Sequence, residues 1–332
     1  MASQQLQIDP ATAGISNVTF NLSARSLLVS SWDSALRLYD VQANALQASY
    51  DVHSTPVLGC CFMDDCRAVS AGADGTVKMT QLHTGSDTNL ATHGQPVQCV
   101  EYCASRSAVV SAGWDKLIIL SDPRQPPIPR GSPANANNTM AELPEKAYSL
   151  ALSGDRIVVG MAGRSIYVYD ARNLSEPQQC RESSLKYQTR CIRCTPDGQG
   201  FGVSSIEGRV AMEYFSETAA AQERYAFKCH RRQTANGEDA VFPVNALAFN
   251  PVASSFATGG GDGTVSLWDG KQRKRLQTYG PYSAGVAALA FAPAASTSGA
   301  ATLAAAVSYN FQNGDMHQDN RPTDQVLLWN VN

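Results

Sequence analysis

Short apolar segments recur along the chain with polar turns between them, and this pattern predicts β-strands throughout. Residues 27–31 and 35–40 form one pair of segments around the turn that begins at Trp32. Similar pairs surround Ala73 and Trp114, and these three positions are spaced 41 residues apart. Later copies occupy residues 162–170, 206–214 and 261–269, and a distorted one ends at residue 330. A fixed period near 40 with about four short strands per repeat predicts a β-propeller of WD repeats.

The seven copies predict an all-β, seven-bladed propeller that forms a single domain over residues 1–332, because a propeller is one closed ring. The last copy provides only three strands, at residues 286–292, 302–308 and 325–331. Residues 5–9 precede the first strand of blade 1 and have no other partner. The sequence therefore predicts that this N-terminal segment supplies the outer strand of blade 7 and removes an open sheet edge.

Composition constrains the expected cellular environment of the chain more than it constrains the function. The net charge of −3 argues against nucleic-acid binding by bulk charge, and direct nucleic-acid binding is not expected. No stretch of about 20 apolar residues is present, so no membrane span is expected. The N-terminus lacks a signal-peptide pattern, and nine irregularly spaced cysteines are typical of reduced thiols inside the cell.

Histidine, serine and aspartate recur together once per repeat, which resembles a catalytic triad in composition only. The sets are His53 with Ser70 and Asp74, His93 with Ser111 and Asp115, and His230 with Thr258 and Asp262. Repetition at structural spacing predicts hydrogen-bonded networks that fix a loop to a turn. Cys191 and Cys194 form a Cys-x-x-Cys, but on a strand the two side chains face opposite ways. We therefore predict no enzyme, no cofactor and no metal site.

Two turns depart from the repeat because they carry tryptophan where other copies carry alanine or glycine. Trp32 and Trp114 are placed at the tips of equivalent hairpins, on the same face of the propeller. Each indole could pack on a neighbouring loop, or it could anchor a partner, since exposed tryptophan is enriched at binding hot spots. We favour partner binding.

Blade 5 departs from the repeat in its charges. Its turn contains Arg209 without the usual aspartate, and the loop before it ends at Arg190. We expect both arginines to project near each other on the tryptophan face, with Lys186 and Lys228 as auxiliaries. Arginine binds carboxylate or phosphate as a fork. Two interpretations remain open: an anion-binding pocket, or internal ion pairs with Glu207 or Glu182.

Two insertions complete the pattern. Residues 123–144 are rich in proline, alanine and asparagine, and we expect a flexible excursion between blades 3 and 4. Residues 310–324 interrupt blade 7 and are expected on the tryptophan face.

Four strings carry a family resemblance, and they are much more specific than any WD repeat. They are SSWDSALRLYDV (30–41), RESSLKYQTRCIR (181–193), SSIEGRVAMEY (204–214) and YAFKCHR (225–231). Together they closely resemble the spindle-checkpoint WD-repeat protein of the Bub group, which is the propeller partner of the Bub checkpoint kinases. The resemblance runs along nearly the whole chain. The nuclear-pore mRNA-export WD-repeat family shares the blade 5 features and is the alternative.

The resemblance implies a non-catalytic adaptor of the mitotic spindle assembly checkpoint. Trp32 and Trp114 would hold a Glu-containing segment of a Bub-type kinase or pseudokinase. Arg190, Arg209 and Lys228 would read phosphothreonine in the Met-Glu-Leu-Thr repeats of a kinetochore scaffold. The checkpoint complex that inhibits the anaphase-promoting complex is a further expected partner. The expected location is the nucleus and the mitotic kinetochore, and also the cytoplasm.

Overall fold

The computed structural model describes residues 3–9, 12–131, 139–218, 223–234, 236–293, 301–309 and 322–331. Over these residues the chain forms seven antiparallel sheets of four strands each, and a separate two-stranded hairpin. Each four-stranded sheet is one blade, so the predicted seven-bladed, all-β propeller is confirmed. In this described part of the chain, no helix has the length and hydrophobicity that crossing a membrane requires.

The strands follow the chain in order, and the first strand of blades 1 to 6 is the innermost. The N-terminal strand is β1 (Gln4–Leu6). Blade 1 contains β2 (Ile15–Phe20), β3 (Ser26–Ser31), β4 (Ala35–Asp40) and β5 (Ala45–Asp51). Blade 2 contains β6 (Val57–Phe62), β7 (Arg67–Gly72), β8 (Thr76–Gln81) and β9 (Asp87–Thr92). Blade 3 contains β10 (Val97–Cys103), β11 (Ala108–Gly113), β12 (Leu117–Ser121) and β13 (Met140–Glu142).

The second half of the chain repeats this order, with one hairpin inserted. Blade 4 contains β14 (Ala147–Ser153), β15 (Arg156–Met161), β16 (Ser165–Asp170) and β17 (Gln179–Glu182), with a 3-10 turn at Ala162–Arg164. Blade 5 contains β18 (Thr189–Cys194), β19 (Gly200–Ser205), β20 (Arg209–Tyr214) and β21 (Tyr225–Lys228). The hairpin is β22 (Arg231–Gln233) and β23 (Asp239–Val241). Blade 6 contains β24 (Val244–Phe249), β25 (Ser255–Gly260), β26 (Val265–Asp269) and β27 (Lys274–Tyr279). The last strands are β28 (Val286–Phe291), β29 (Ala301–Val307) and β30 (Gln325–Val331).

Closure through both termini is confirmed. Strand β1 pairs antiparallel with β30, with Gln4 opposite Leu328 and Leu6 opposite Val326. Leu6 is 1% exposed and packs in the core between blades 7 and 1. Beyond the strand, the Asp9 amide donates to the Tyr39 hydroxyl at 3.0 Å. The N-terminal segment therefore completes blade 7 and also contacts blade 1.

The core is distributed among the joints between blades. Alternate residues of a strand face the two neighbouring blades, since side chains alternate across a sheet. On β20, Ala211 packs toward blade 4, whereas Val210 and Met212 pack toward blade 6. Each blade is thus held by apolar contacts on both faces, which fixes the relative positions of all the loops above it.

The segment 123–144, expected as a flexible excursion between blades 3 and 4, instead interrupts blade 3, because β13 at Met140–Glu142 pairs with β12 as the fourth strand of this blade. Its first part is also docked. Ile128 forms a parallel bridge with Ala91 on β9, the outer strand of blade 2. Its amide donates to the Leu90 carbonyl at 2.9 Å, and its carbonyl accepts from the Thr92 amide at 2.9 Å. The Ile128 side chain also packs on the core of this joint, so the segment is docked there. Residues 132–138, and residues 310–321 of the blade 7 insertion, lie outside the described residues.

Removing residues 1–10 should sharply lower the melting temperature, because it strips β30 of its partner and exposes the core around Leu6. The substitution Leu6→Ala should cost about 2–5 kcal/mol of unfolding free energy, the usual range for a buried leucine. Thermal unfolding followed by circular dichroism measures both effects. Gln5→Ala, at an exposed position of the same strand, is the control and should change stability by less than about 0.5 kcal/mol. An unchanged melt after the deletion would contradict this closure.

Candidate functional site

A β-bulge lies near the start of the innermost strand in every blade and shapes the axial opening. The register of the first two strands skips one residue in each blade. The bulged residues are Ser16, Leu58, Gln98, Tyr148, Arg190, Asn245 and Ala287. A bulge re-aims a side chain out of the regular alternation. All seven line a cavity of about 320 Å³ on the axis, and Arg190 is the charged member of this ring.

The turns after each second strand form another set of equivalent positions. The first turn residue donates its amide to the loop that precedes the innermost strand of the same blade, at 2.8–3.1 Å. These residues are Trp32, Ala73, Trp114, Ala162, Ile206, Gly261 and Ser308. Both tryptophans line the axial cavity together with Arg190. The structure thus brings together three of the residues singled out from the sequence.

The two tryptophans differ in how much of the indole is available. Trp32 is 45% exposed, and one part of its ring lies over Gly14, where an added methyl group would come within 3.2 Å of it. Trp114 is less exposed, and the Lys146 ammonium lies 5.7 Å from its ring centroid. The indole Nε1 of Trp114 is buried and has no hydrogen-bond partner among the described residues. Each ring therefore packs partly on its neighbours while still lining the cavity.

Ile206 is an exposed apolar residue that the sequence reasoning passed over. It occupies the blade 5 position equivalent to Trp32 and Trp114, and it is 41% exposed. Tyr187, in the loop before β18 of the same blade, is 51% exposed. The sequence did carry a signal for this residue. Ile206 directly follows the second strand of its blade, as Trp32 and Trp114 do.

Arg190 presents a guanidinium without an internal acid. Its Nε donates to Asn245 Oδ1 at 3.1 Å, and no carboxylate of the described residues lies within 4.0 Å of it. The loss of hydration in the surrounding protein lowers the pKa of this side chain. Glu182 pairs with Arg164, and Glu207 pairs elsewhere. The alternative of an internal ion pair therefore does not apply to Arg190, whose terminal nitrogens remain available to an anion.

Arg209 occupies a different part of the face. Its Nε lies 3.4 Å from Glu207 Oε2, and the same carboxylate accepts from Arg231 Nη2 at 2.8 Å. For Arg209 the internal ion pair is thus real, although the carboxylate is shared between two guanidinium groups. Lys228 lies directly opposite Arg209 in the register of β20 and β21 and is exposed. Side chains opposite each other on adjacent strands share a face, so these two cations are neighbours.

The sequence predicted that Arg190 and Arg209 project near each other, and the structure places them on two strands that are not adjacent. Strand β19 lies between the strands that carry them. Arg209 has the same strand parity as Ala211, which packs toward blade 4, whereas Arg190 bonds to Asn245 of blade 6. Arg209 does not line the axial cavity. Two basic sites result: Arg190 at the axis, and Arg209 with Lys228 farther out on blade 5.

The histidine networks are confirmed at the predicted residues. His53 Nε2 lies 2.8 Å from Ser70 Oγ, and its Nδ1 lies 3.1 Å from Asp74 Oδ2. The corresponding distances are 2.9 and 3.0 Å for His93 with Ser111 and Asp115, and 2.8 and 2.9 Å for His230 with Thr258 and Asp262. Trp268 Nε1 also donates to Thr258 at 3.0 Å. The three imidazoles have no exposed side-chain surface, so they fix loops and cannot reach a substrate.

In blade 1 an arginine, and not a histidine, contacts the aspartate of the turn. The sequence reasoning did not anticipate this. Arg37 Nη2 lies 2.8 Å from Asp33 Oδ2, and its Nη1 donates to Ser31 Oγ at 2.8 Å. Its Nε reaches Asp9 at 3.2 Å. Arg37 therefore holds the turn next to Trp32 and connects that turn to the N-terminal segment.

The two cysteines of the Cys-x-x-Cys face opposite sides of their strand. Cys191 packs toward blade 6, whereas Cys194 packs toward blade 4, as a strand position three residues apart requires. Burial raises the pKa of the Cys194 thiol to about 12, so it stays protonated near neutrality. Within the described ranges, no three His, Cys, Asp or Glu side chains are grouped as metal ligands would be.

Comparisons with known proteins agree with this architecture and extend it. The family model of the WD domain, G-beta repeat, matches residues 44–80 and 227–269. The chain is 46% identical to the mitotic checkpoint protein BUB3.1 of Arabidopsis thaliana over 312 residues, which cover 94% of this chain and 88% of that protein. It is 38% identical to the mitotic checkpoint protein bub3 of Dictyostelium discoideum, with 97% and 93% covered. It is also 35% identical to the poly(A)+ RNA export protein of Schizosaccharomyces pombe, with 81% and 75% covered.

The buried His53 should make stability depend on pH near neutrality. Burial lowers the pKa of this imidazole below its ordinary 6.5, although Asp74 acts in the opposite direction. Below about pH 6.5 the unfolded chain therefore takes up a proton that the folded chain resists, and stability falls as pH falls. We expect a lower melting temperature at pH 5.5 than at pH 7.5, and a smaller difference in His53→Gln.

His83→Gln is the matched control for this experiment, because His83 is exposed. It should retain the full pH difference of the unsubstituted protein. The interpretation is wrong if His53→Gln and His83→Gln show the same difference between the two pH values.

Proposed function

Because the chain belongs to the family of BUB3-type mitotic checkpoint proteins, we propose that it is a non-catalytic adaptor of the spindle assembly checkpoint. The observation that supports this most directly is the axial cavity, where two tryptophans and an arginine without an internal acid line one opening. A rigid face of this kind acts by binding a partner and holding it in place. The proposed site of action is the kinetochore in mitosis, with nuclear and cytoplasmic pools.

The axial site fits a short peptide that carries both apolar and acidic side chains. Trp32 and Trp114 offer ring surface on blades 1 and 3, and Arg190 offers its terminal nitrogens from blade 5. Buried aromatic anchors supply most of the affinity of peptide interfaces, and a charged fork adds orientation. We assign this site to a Glu-containing segment of a Bub-type kinase or pseudokinase. Arg190 would then bind the carboxylate of that segment, whereas the family resemblance implied that it reads phosphothreonine with Arg209 and Lys228.

The outer basic pair fits a phosphate. Arg209 and Lys228 are neighbours across two strands, and the one acid near Arg209 is shared with Arg231. A phosphothreonine carries about −1.5 to −2 charges and accepts several charge-assisted hydrogen bonds. We assign this pair to phosphorylated Met-Glu-Leu-Thr repeats of a kinetochore scaffold. Binding there and on the axis at the same time would bring the kinase to the scaffold, and from there into the checkpoint complex that inhibits the anaphase-promoting complex.

A role in mRNA export is the alternative, since export proteins are also similar to this chain, at 35% and 32% identity. The ring of bulged residues carries one charge and the whole chain has a net charge of −3, which offers RNA little electrostatic attraction. Retardation of RNA in a gel-shift assay at physiological salt would favour export over the checkpoint.

The double substitution Trp32→Ala/Trp114→Ala should abolish recovery of a Bub-type kinase from mitotic cells, because it removes both aromatic anchors. Arg190→Ala alone should weaken binding of the kinase segment about ten- to a hundredfold, since a hydrogen bond to a charged group contributes about 1.5–3 kcal/mol. A pulldown measures the first and fluorescence anisotropy the second. Lys271→Ala, which removes an exposed charge in the turn between β26 and β27, should leave both unchanged. Equal kinase recovery with and without the tryptophans would refute the axial assignment.

A phosphorylated Met-Glu-Leu-Thr peptide should bind more tightly than its unphosphorylated form. Arg209→Ala/Lys228→Ala should remove most of this difference, because the two residues provide the charge that the phosphate needs. Isothermal titration of both peptides against each variant gives the comparison, and Arg190→Ala decides the division of roles. If Arg190→Ala removes the difference while Arg209→Ala/Lys228→Ala preserves it, the phosphate belongs on the axis. If the unsubstituted protein binds both peptides equally, phosphothreonine reading is refuted.

A further inference from the structure

The proline-rich segment between β12 and β13 of blade 3 reaches the tryptophan face on the side of blade 2. Its bridge to β9 is parallel, so the chain beyond Ile128 runs in the same direction as β9. Strand β9 ends at Thr92, immediately before His93 and Gly94. His93 bonds to Asp115 at the tip of the blade 3 turn. A segment that follows β9 therefore reaches this turn from the outer side of the propeller.

Arg130 is the residue that this path delivers to the turn. A methyl group at Gly94 would lie 3.8 Å from Arg130 Nε and 3.6 Å from Asp115 Cβ, which places Arg130 over the loop beside Trp114. The segment that carries Arg130 is anchored just before it, by two backbone hydrogen bonds of 2.9 Å and by the buried side of Ile128. Arg130 is itself exposed.

Asp115 is an acid close to Arg130, because its Oδ2 lies 3.8 Å from the same methyl position at Gly94, but it is bonded to other groups. Asp115 accepts from the Gly94 amide at 2.7 Å and from His93, and Lys116 pairs with Glu145 at 3.4 Å. No ion pair within 4.0 Å joins Arg130 to another described residue. Lys146, on the blade 4 side of the same indole, is likewise without one in this part of the chain. Arg130 and Lys146 therefore lie on two sides of Trp114, and neither forms an ion pair with a described residue.

We infer that Arg130 extends the peptide-binding surface beyond the axial cavity and binds a carboxylate of the partner segment on the outer side of Trp114. The occupant is an acidic stretch of the same kinase-type segment, because a peptide anchored on Trp114 passes within reach of Arg130, and cations without an ion pair select acids. This inference rests on the proposed function, since it needs that segment to lie on Trp114. It gives the insertion between β12 and β13 a role in recognition.

The test is fluorescence anisotropy with a labelled synthetic peptide, the Glu-containing segment of the Bub-type kinase from the same organism, at 50 and 150 mM NaCl. Arg130→Ala should weaken binding about two- to fivefold at the lower salt, as expected for an exposed charge pair. Arg130→Glu should weaken it by roughly tenfold, because repulsion replaces attraction, and both losses should shrink at the higher salt. Arg130→Lys should bind nearly as well as the unsubstituted protein.

Arg124→Glu is the matched control, with the same charge change in the same insertion. Arg124 is paired with Asp122 at 2.7 Å, at the opposite end of the segment from the tryptophan face. Ile128→Gly, which releases the anchor, should reproduce the loss seen in Arg130→Ala, and its melting temperature reports whether the propeller stays folded. Equal effects of Arg130→Glu and Arg124→Glu would overturn the inference alone. Failure of the unsubstituted protein to bind the peptide would overturn the proposed axial assignment and the inference with it.

Discussion

The pairing of β1 with β30 is the constraint on which the rest of the structure depends. A blade of three strands leaves an open edge, and seven sheets in a row have no common axis until the last one contacts the first. The three residue pairs of β1 with β30 and the buried Leu6 supply that closure. Once the ring is closed, the seven inner strands face one axis, and their bulged residues surround one opening. The position of Arg190 therefore depends on residues near both ends of the chain.

Ring closure gives the seven blades equivalent positions. Comparing the side chains at one such position distinguishes residues that the fold requires from residues that it does not require. At the turn that follows each second strand, the backbone hydrogen bond is the same whether the side chain is tryptophan, alanine, isoleucine, glycine or serine. The fold therefore places no demand on the side chain there, and Trp32, Trp114 and Ile206 are not required for the turn. By contrast, the buried His53, His93 and His230 contact the same kinds of partner in three blades, as expected of residues that the fold requires.

Much of this could be predicted from the sequence, because the relevant information was local or periodic. The repeat gave the number of blades, and the fixed offsets of histidine, serine and aspartate gave the networks. What could not be predicted depends on register and on contacts between distant segments. The bulge that turns Arg190 toward the axis appears only in the pairing of β18 with β19. The docking of Ile128 on blade 2 and the use of Arg37 in place of a histidine both rely on contacts that no repeat encodes.

The same reasoning explains why the net charge of the chain says little about its binding face. A sum of −3 includes acids and bases that are paired within a blade or across one turn, such as Asp64 with Arg67 and Asp87 with Lys78. Exposed pairs of this kind contribute little to stability or recognition. A guanidinium without an ion pair is different, because terminal nitrogens that hold no internal carboxylate can bind one from a partner. Arg190 and Arg130 share that state on the axial and outer sides of the tryptophan face. We therefore propose that recognition by this propeller depends on where a few such charges lie on the rigid face, and not on the net charge of the chain.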